Sequence, residues 1–97
     1  MLNLKTIIAY DTDDEKEMTI SELDHYINSY VDLYIENNFT EQEWFLMSFE
    51  QEIKTRKEIK EKVIDYMLSG KDAIKITDKK TFKEFLKNTW QIEKNML

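Results

Sequence analysis

The sequence predicts an α+β fold, predominantly helical, with three to four helices packed on a small two- or three-stranded sheet. Three observations lead there. Apolar residues recur at three- and four-residue steps through several long stretches, which is the period of a half-buried helix. Two shorter runs, "LNLKTIIAY" and "DAIKIT", are rich in β-branched residues and read as strands. Zero prolines and one glycine in 97 residues leave little irregular loop. That length fits a single compact domain over residues 1–97 with one core.

Taken in order, residues 2–10 form the first strand, bounded by the acidic turn "DTDDEKE". "EMTI" (17–20) returns as a short hairpin partner. A helix follows over about 21–37, with Leu23, Ile27, Tyr30, Val31 and Tyr34 on its inner side. Its start is capped by Thr19 with Glu22 or by Ser21 with Asp24, and its outer face carries Glu22, His25, Ser29, Asp32 and Glu36. Asn37 and Asn38 end it, since asparagine tolerates the left-handed conformation at helix ends.

"FTEQEW" is the sharpest local signal. Thr40 and Glu43 make a capping box, and Phe39 and Trp44 flank it as a hydrophobic staple, so a helix starts at 41. Phe45, Met47, Phe49 and Ile53 carry its apolar side. It either continues to Leu68 as one helix of about 42 Å or restarts at "TRKE" (55–58). Gly70 supplies the left-handed stop. Residues 72–77 alternate as a half-buried strand, and a last helix runs over about 79–95, capped by Thr77 or Asp78. Phe82, Phe85, Leu86, Thr89 and Trp90 form its inner stripe, while Lys79, Lys83 and Lys87 line its outside as a basic stripe. The first and last strands are expected to pair, with the helices on one face.

The charge is uneven. Residues 1–52 carry 13 acids and 2 bases, net −11, and residues 53–97 carry 7 acids and 12 bases, net +5. The two halves either neutralise each other on folding or present interaction surfaces. With no cysteine, disulfides and thiolate–zinc sites are ruled out. The start of the chain lacks the basic segment, long apolar run and small-residue cleavage site of a secretory signal, and no apolar run reaches the roughly 20 residues needed to span a bilayer. A cytoplasmic location and no membrane association are expected.

Catalytic chemistry finds little material. His25 is the single histidine, and Ser21 and Ser29 on the same exposed helix face do not make an oxyanion site. One glycine cannot build a phosphate cradle or a dinucleotide fingerprint. Acids such as Glu41 and Glu43 at a helix start have a structural role there, because they complement the helix dipole. The chain is expected to be non-enzymatic, with no catalytic residue and no cofactor.

Asp11, Asp13, Glu15 and Glu22 fall at positions 1, 3, 5 and 12 of a twelve-residue stretch that resembles an EF-hand calcium loop. Position 6, where that loop needs a glycine, is Lys16. The preceding segment reads as a strand, and no second loop is present to pair with it. The stretch reads instead as an acidic turn running into a capped helix, with no metal.

Nucleic-acid binding would have to use the second half. In "KTRKEIKEK", Glu58 and Glu61 interleave with Lys54, Lys57 and Lys62 at four-residue spacing, the pattern of a self-paired helix face. A net charge of −6 and a pI near 4.8 argue against a nucleic-acid footprint. Protein binding fits better. Asp11, Asp13, Asp14, Glu15, Glu17, Glu22, Asp32, Glu36, Glu41 and Glu43 form a candidate acidic face for a partner with a basic surface. Small acidic inhibitors from phages and plasmids, anti-CRISPR proteins and other DNA mimics among them, are similar to this chain in size and charge. That resemblance implies an inhibitor or modulator of a nucleic-acid-handling protein. The alternative is a structural or regulatory domain that forms a homodimer through an aromatic face. A weak nucleic-acid binder using Lys79, Lys83 and Lys87 comes third.

Overall fold

The computed structural model describes residues 3–93. It is a three-stranded antiparallel sheet carrying four α-helices. The order is β1 (Ile7–Asp11), β2 (Lys16–Thr19), α1 (Ile20–Asn38), α2 (Glu41–Phe45), α3 (Phe49–Leu68), β3 (Ile74–Ile76) and α4 (Lys79–Phe85), followed by a π-helical turn (Leu86–Trp90). The sheet order is β2-β1-β3, so the first and last strands do pair, with Ala9 opposite Ile76 and Asp11 opposite Ile74.

The first strand is shorter than the run 2–10, whose residue 2 lies outside the described residues. Residues 4 and 5 form a turn, closed by Thr6 N–H donating to the Asn3 carbonyl at 2.9 Å. The reason lies in α1. The Leu4 and Thr6 carbonyls accept the first helical amides, Ser21 at 3.1 Å and Ile20 at 2.9 Å, which have no partner within the helix. Between Ile7 and Ala9 the β1–β2 register slips by one residue. This bulge lets neighbours Ile8 and Ala9 both be fully buried, which strict alternation along a strand forbids. The Ile8 carbonyl then accepts from Thr77 and Asp78, at 2.8 and 3.2 Å, and holds the start of α4 against the sheet.

Local capping decides the helix boundaries. Thr19, not Ser21, caps α1. Its hydroxyl accepts from Glu22 N–H at 3.2 Å and the Glu22 carboxylate accepts from Thr19 N–H at 3.1 Å. The helix ends at Asn38 without a left-handed residue. Phe39 is extended, and the Asn38 side-chain amide donates to the Tyr34 carbonyl at 2.9 Å. Gly70 does take the left-handed conformation after α3, with φ +81°.

The segment 41–68 is neither one helix nor a helix broken at "TRKE". The Thr40–Glu43 box forms, with both hydrogen bonds at 3.0 Å, but α2 stops after five residues. A second box starts α3. Ser48 Oγ accepts from Gln51 N–H at 3.2 Å, and Gln51 Oε1 accepts from Ser48 N–H at 3.0 Å. The last helix is also shorter than 79–95. The π turn widens it over 86–90, and Gln91 turns left-handed at φ 56°. Ile92 then folds back into the core, its N–H donating to the Leu86 carbonyl at 3.1 Å. Thr89 is exposed, so the inner stripe is Phe82, Phe85 and Leu86 with Trp90 half-buried against the core, its ring 5.3 Å from that of Phe85. Residues 94 and 95 lie outside the described residues.

The buried side chains form one cluster. Ile8, Ala9 and Met18 come from the sheet, Leu23, Ile27 and Val31 from α1, Ile59, Val63, Ile64 and Met67 from α3, and Phe82 and Phe85 from α4. The first ten residues of α3 contribute nothing to it, and that end of the helix runs past the core.

Candidate functional site

Exposed acids of the first half lie at the hairpin tip, on the outer face of α1 and at the α1–α2 corner, while Asp24 is half-buried off that face. At the tip, Asp11 Oδ1 accepts from the Asp13 and Asp14 amides at 2.9 and 3.2 Å, which shapes the turn. Glu15 takes the left-handed position, φ 53°. Thr12 ties the tip to the segment before β3, its hydroxyl donating to the Ala73 carbonyl at 2.7 Å. Asp13, Asp14, Glu15 and Glu17 project into solvent.

This geometry also settles how the calcium-like stretch folds. Its left-handed residue is at position 5, not at position 6, and Lys16 lies inside β2. Asp11 holds the turn amides and Glu22 holds the α1 cap. Among the described residues, no group of three or more acids, histidines or cysteines converges to hold a metal ion.

On α1, Glu22, His25, Ser29, Asp32 and Glu36 form a continuous exposed stripe. The stripe joins two open grooves. The one beside the hairpin, about 540 Å³, is lined by Asp11, Asp14, Lys16, Glu22, His25 and Ser29 among others. The one at the far end, about 610 Å³, is lined by Ile35, Glu36, Glu41, Trp44, Phe45 and Glu52 among others.

Not every acid of this face is equally available. Lys16 Nζ is 3.7 Å from Glu22, and Arg56 bonds Asp32 at 3.1 Å. The latter joins the acidic and basic halves, and Lys60 of the basic half also lies within electrostatic reach of Asp24 and Asp32. Glu22 and Glu43 are committed to their capping boxes. The amides of Thr19 and Thr40, then the hydroxyls of the same residues, hold these carboxyls below the ordinary value of 4.5. Their contribution to stability is therefore present above 4.5 and lost as pH falls through the lowered folded values. Glu22→Gln and Glu43→Gln should flatten the acid limb of a pH–melting curve relative to the parent chain, while leaving its neutral-to-alkaline limb parallel.

The basic stripe is also exposed. Lys79 and Lys83 lie on α4, while Lys87 belongs to the π turn and stands 4.0 Å from Glu93.

Phe45, Phe49 and Ile53, expected on the apolar side of the helix that starts at 41, face solvent. Phe45 is 85% exposed, Phe49 74% and Ile53 54%, and Leu46 beside them is 73% exposed. Met47 is half-buried. The staple itself holds, with the Phe39 and Trp44 rings edge to face at 5.5 Å, and Arg56 lies 5.8 Å from the Trp44 ring centre. The break at Ser48 turns α3 away from α2 and leaves their junction as an uncovered apolar corner. The signal that marks this break is "SFEQ", a capping box with glutamine in the fourth place.

One buried polar contact had no local signal. Asp72 is 6% exposed. Its carboxylate accepts from the Tyr26 hydroxyl at 3.1 and 3.3 Å and from Ile74 N–H at 3.3 Å. Lys75 Nζ closes the same turn, donating to the Gly70 and Asp72 carbonyls at 2.7 Å each.

Compared with known protein families, curated proteins and solved structures, the chain matches none. No helix among the described residues is long and apolar enough to cross a membrane.

Proposed function

We propose that the chain is a small, acidic, non-enzymatic protein-binding domain that inhibits or modulates a nucleic-acid-handling protein by offering carboxylates where that partner takes phosphates. The observation that carries this reading is the exposed stripe of α1, which joins two acid-lined grooves. Glu22 and Glu36 at its ends are about 21 Å apart along the helix, so the acids extend in a line and do not crowd at one point. A basic groove that tracks a phosphate backbone meets exposed carboxylates at both ends of such a ridge, Asp13, Asp14 and Glu17 at the hairpin and Glu36 and Glu41 at the far corner, and long-range attraction speeds the encounter.

Charge reversal tests it, provided the variants spare the fold. Glu22 and Asp32 are unsuitable, since one caps α1 and the other pairs with Arg56. Asp13, Asp14, Glu17 and Glu36 are exposed and outside any ion pair among the described residues. The immobilised chain should retain a protein from a lysate of its source organism that competing duplex DNA or RNA displaces. The variant with all four residues changed to lysine should not retain it. Equal retention by that variant, at low and high salt alike, would remove electrostatic mimicry from consideration.

A further inference from the structure

The apolar corner has a specific chemistry of its own. Phe45, Leu46, Phe49 and Ile53 stand together at the α2–α3 junction, each more than half exposed. The groove beside them is lined by Ile35, Phe39, Trp44 and Met47, and its charged lining is Glu36, Glu41 and Glu52, with no lysine or arginine. Glu43 and Glu50 are exposed in the first turns of α2 and α3. Bulky side chains exposed beside a groove whose charged lining is acidic, with Arg56 against the Trp44 ring on its flank, are the features of a docking site.

We propose that this corner seats an amphipathic segment of a partner protein, with bulky apolar side chains flanked by lysines or arginines. The charge on the rim selects among occupants. A second copy of this chain docked symmetrically through the corner places Glu36, Glu41 and Glu52 of each copy against their own kind, which opposes association. Nucleic acid and anionic lipid carry the same sign as the rim and are repelled. A cationic, apolar protein segment satisfies both the uncovered rings and the unpaired carboxylates. The apolar side chains supply the affinity by leaving water, and the bases fix orientation and exclude other partners. This rests on the reading of the chain as a protein-binding domain. It uses a different part of the surface from the hairpin acids.

A synthetic amphipathic peptide of leucine and lysine is the probe, with its leucine–glutamate counterpart as control, titrated by calorimetry. The leucine–lysine peptide should bind saturably and the glutamate peptide should not. Because the two rings make no part of the core, Phe45→Ser with Phe49→Ser should leave melting unchanged while weakening binding at least about tenfold, as removal of central aromatic anchors does. Glu36→Lys with Glu41→Lys should weaken it as well. Asp13→Lys, Asp14→Lys and Glu17→Lys together should leave it nearly unchanged, which separates this site from the hairpin end of the acidic ridge, Glu36 belonging to both. If those three substitutions abolish binding and the ring substitutions do not, the corner is not the site, although the ridge reading survives. Equal binding of both peptides also overturns the proposal. So does a self-assembly seen in sedimentation that the ring substitutions dissolve, which makes a second copy the occupant. Co-sedimentation with phosphatidylcholine vesicles that the same substitutions abolish makes it a lipid surface.

Discussion

Phe82→Ala should lower stability by about 3–5 kcal/mol, the cost of emptying an aromatic site in a packed core. Phe82 is fully buried on α4, in the same cluster as Ile8, Leu23 and Ile64. The surrounding elements fix the space it fills. The Ile8 carbonyl holds Thr77 and Asp78, so the start of α4 cannot slide to close a void. Asp78 caps the helix beside it, accepting from Thr81 N–H at 3.0 Å. A domain of this size is stable by about 5–15 kcal/mol in total, and each kilocalorie shifts its melting point by roughly 4–8 °C. The expected result is a drop of at least about 12 °C, or failure to fold. Phe45→Ala is the matched control: the ring is exposed, and removing it should change stability by no more than about 0.5 kcal/mol. Urea or thermal melts of the two variants side by side make the comparison. Equal losses would place Phe45 in the core and contradict the fold at the α2–α3 corner.

Asp72→Ala is expected to cost about 1–3 kcal/mol through a different mechanism, by leaving buried donors without an acceptor. The Tyr26 hydroxyl and the Ile74 amide both donate to this carboxylate. Asp72→Asn should lose less, since one amide oxygen with two lone pairs can accept both bonds. Tyr26→Phe combined with Asp72→Ala should lose less than the sum of the singles, because the cost lies in the orphaned hydroxyl and the double variant removes it. The same contact sets an alkaline limit. Burial first, and then the negative charge of Asp72, raise the Tyr26 hydroxyl above the ordinary tyrosine value of 10.0. A raised folded value stabilises at every pH below 10 and loses that stabilisation as pH climbs beyond it. Melting temperature should therefore fall above pH 10 more steeply in the parent chain than in Tyr26→Phe. Parallel alkaline limbs would mean that the hydroxyl titrates as it does in water.

The two experiments separate what could be read from the residues and what could not. Both phenylalanines lie at helical spacing within apolar stripes, and no local pattern tells the two rings apart. Asp72 opens the run 72–77 read as a half-buried strand, and nothing beside it marks it for burial. Its partner Tyr26 is 46 positions away, too far for any local pattern to link them.

The acidic ridge was partly legible. The three- and four-residue steps from Glu22 through His25 and Ser29 to Asp32 and Glu36 fix these acids on one helix face, because helical geometry alone sets that face. Which of them is neutralised was not legible. Arg56 reaches Asp32 only because α3 packs alongside α1. The break at Ser48 lies between these cases. Its capping box is local and readable, but the four-residue steps Phe45, Phe49 and Ile53 run across it and give the look of one longer helix.

What the sequence determined by itself is therefore the short-range part. The box at Thr40, the left-handed stop at Gly70 and the Phe39–Trp44 staple all rest on contacts within a few residues. Those interactions have nearly the same energy in any surroundings. Tertiary structure alone decided which apolar stripes found a partner, where β1 bulges to bury two successive residues, and which carboxylate went inside. Periodicity marks a face that gains from leaving water. Whether water leaves depends on another element arriving there, and at the α2–α3 corner none does.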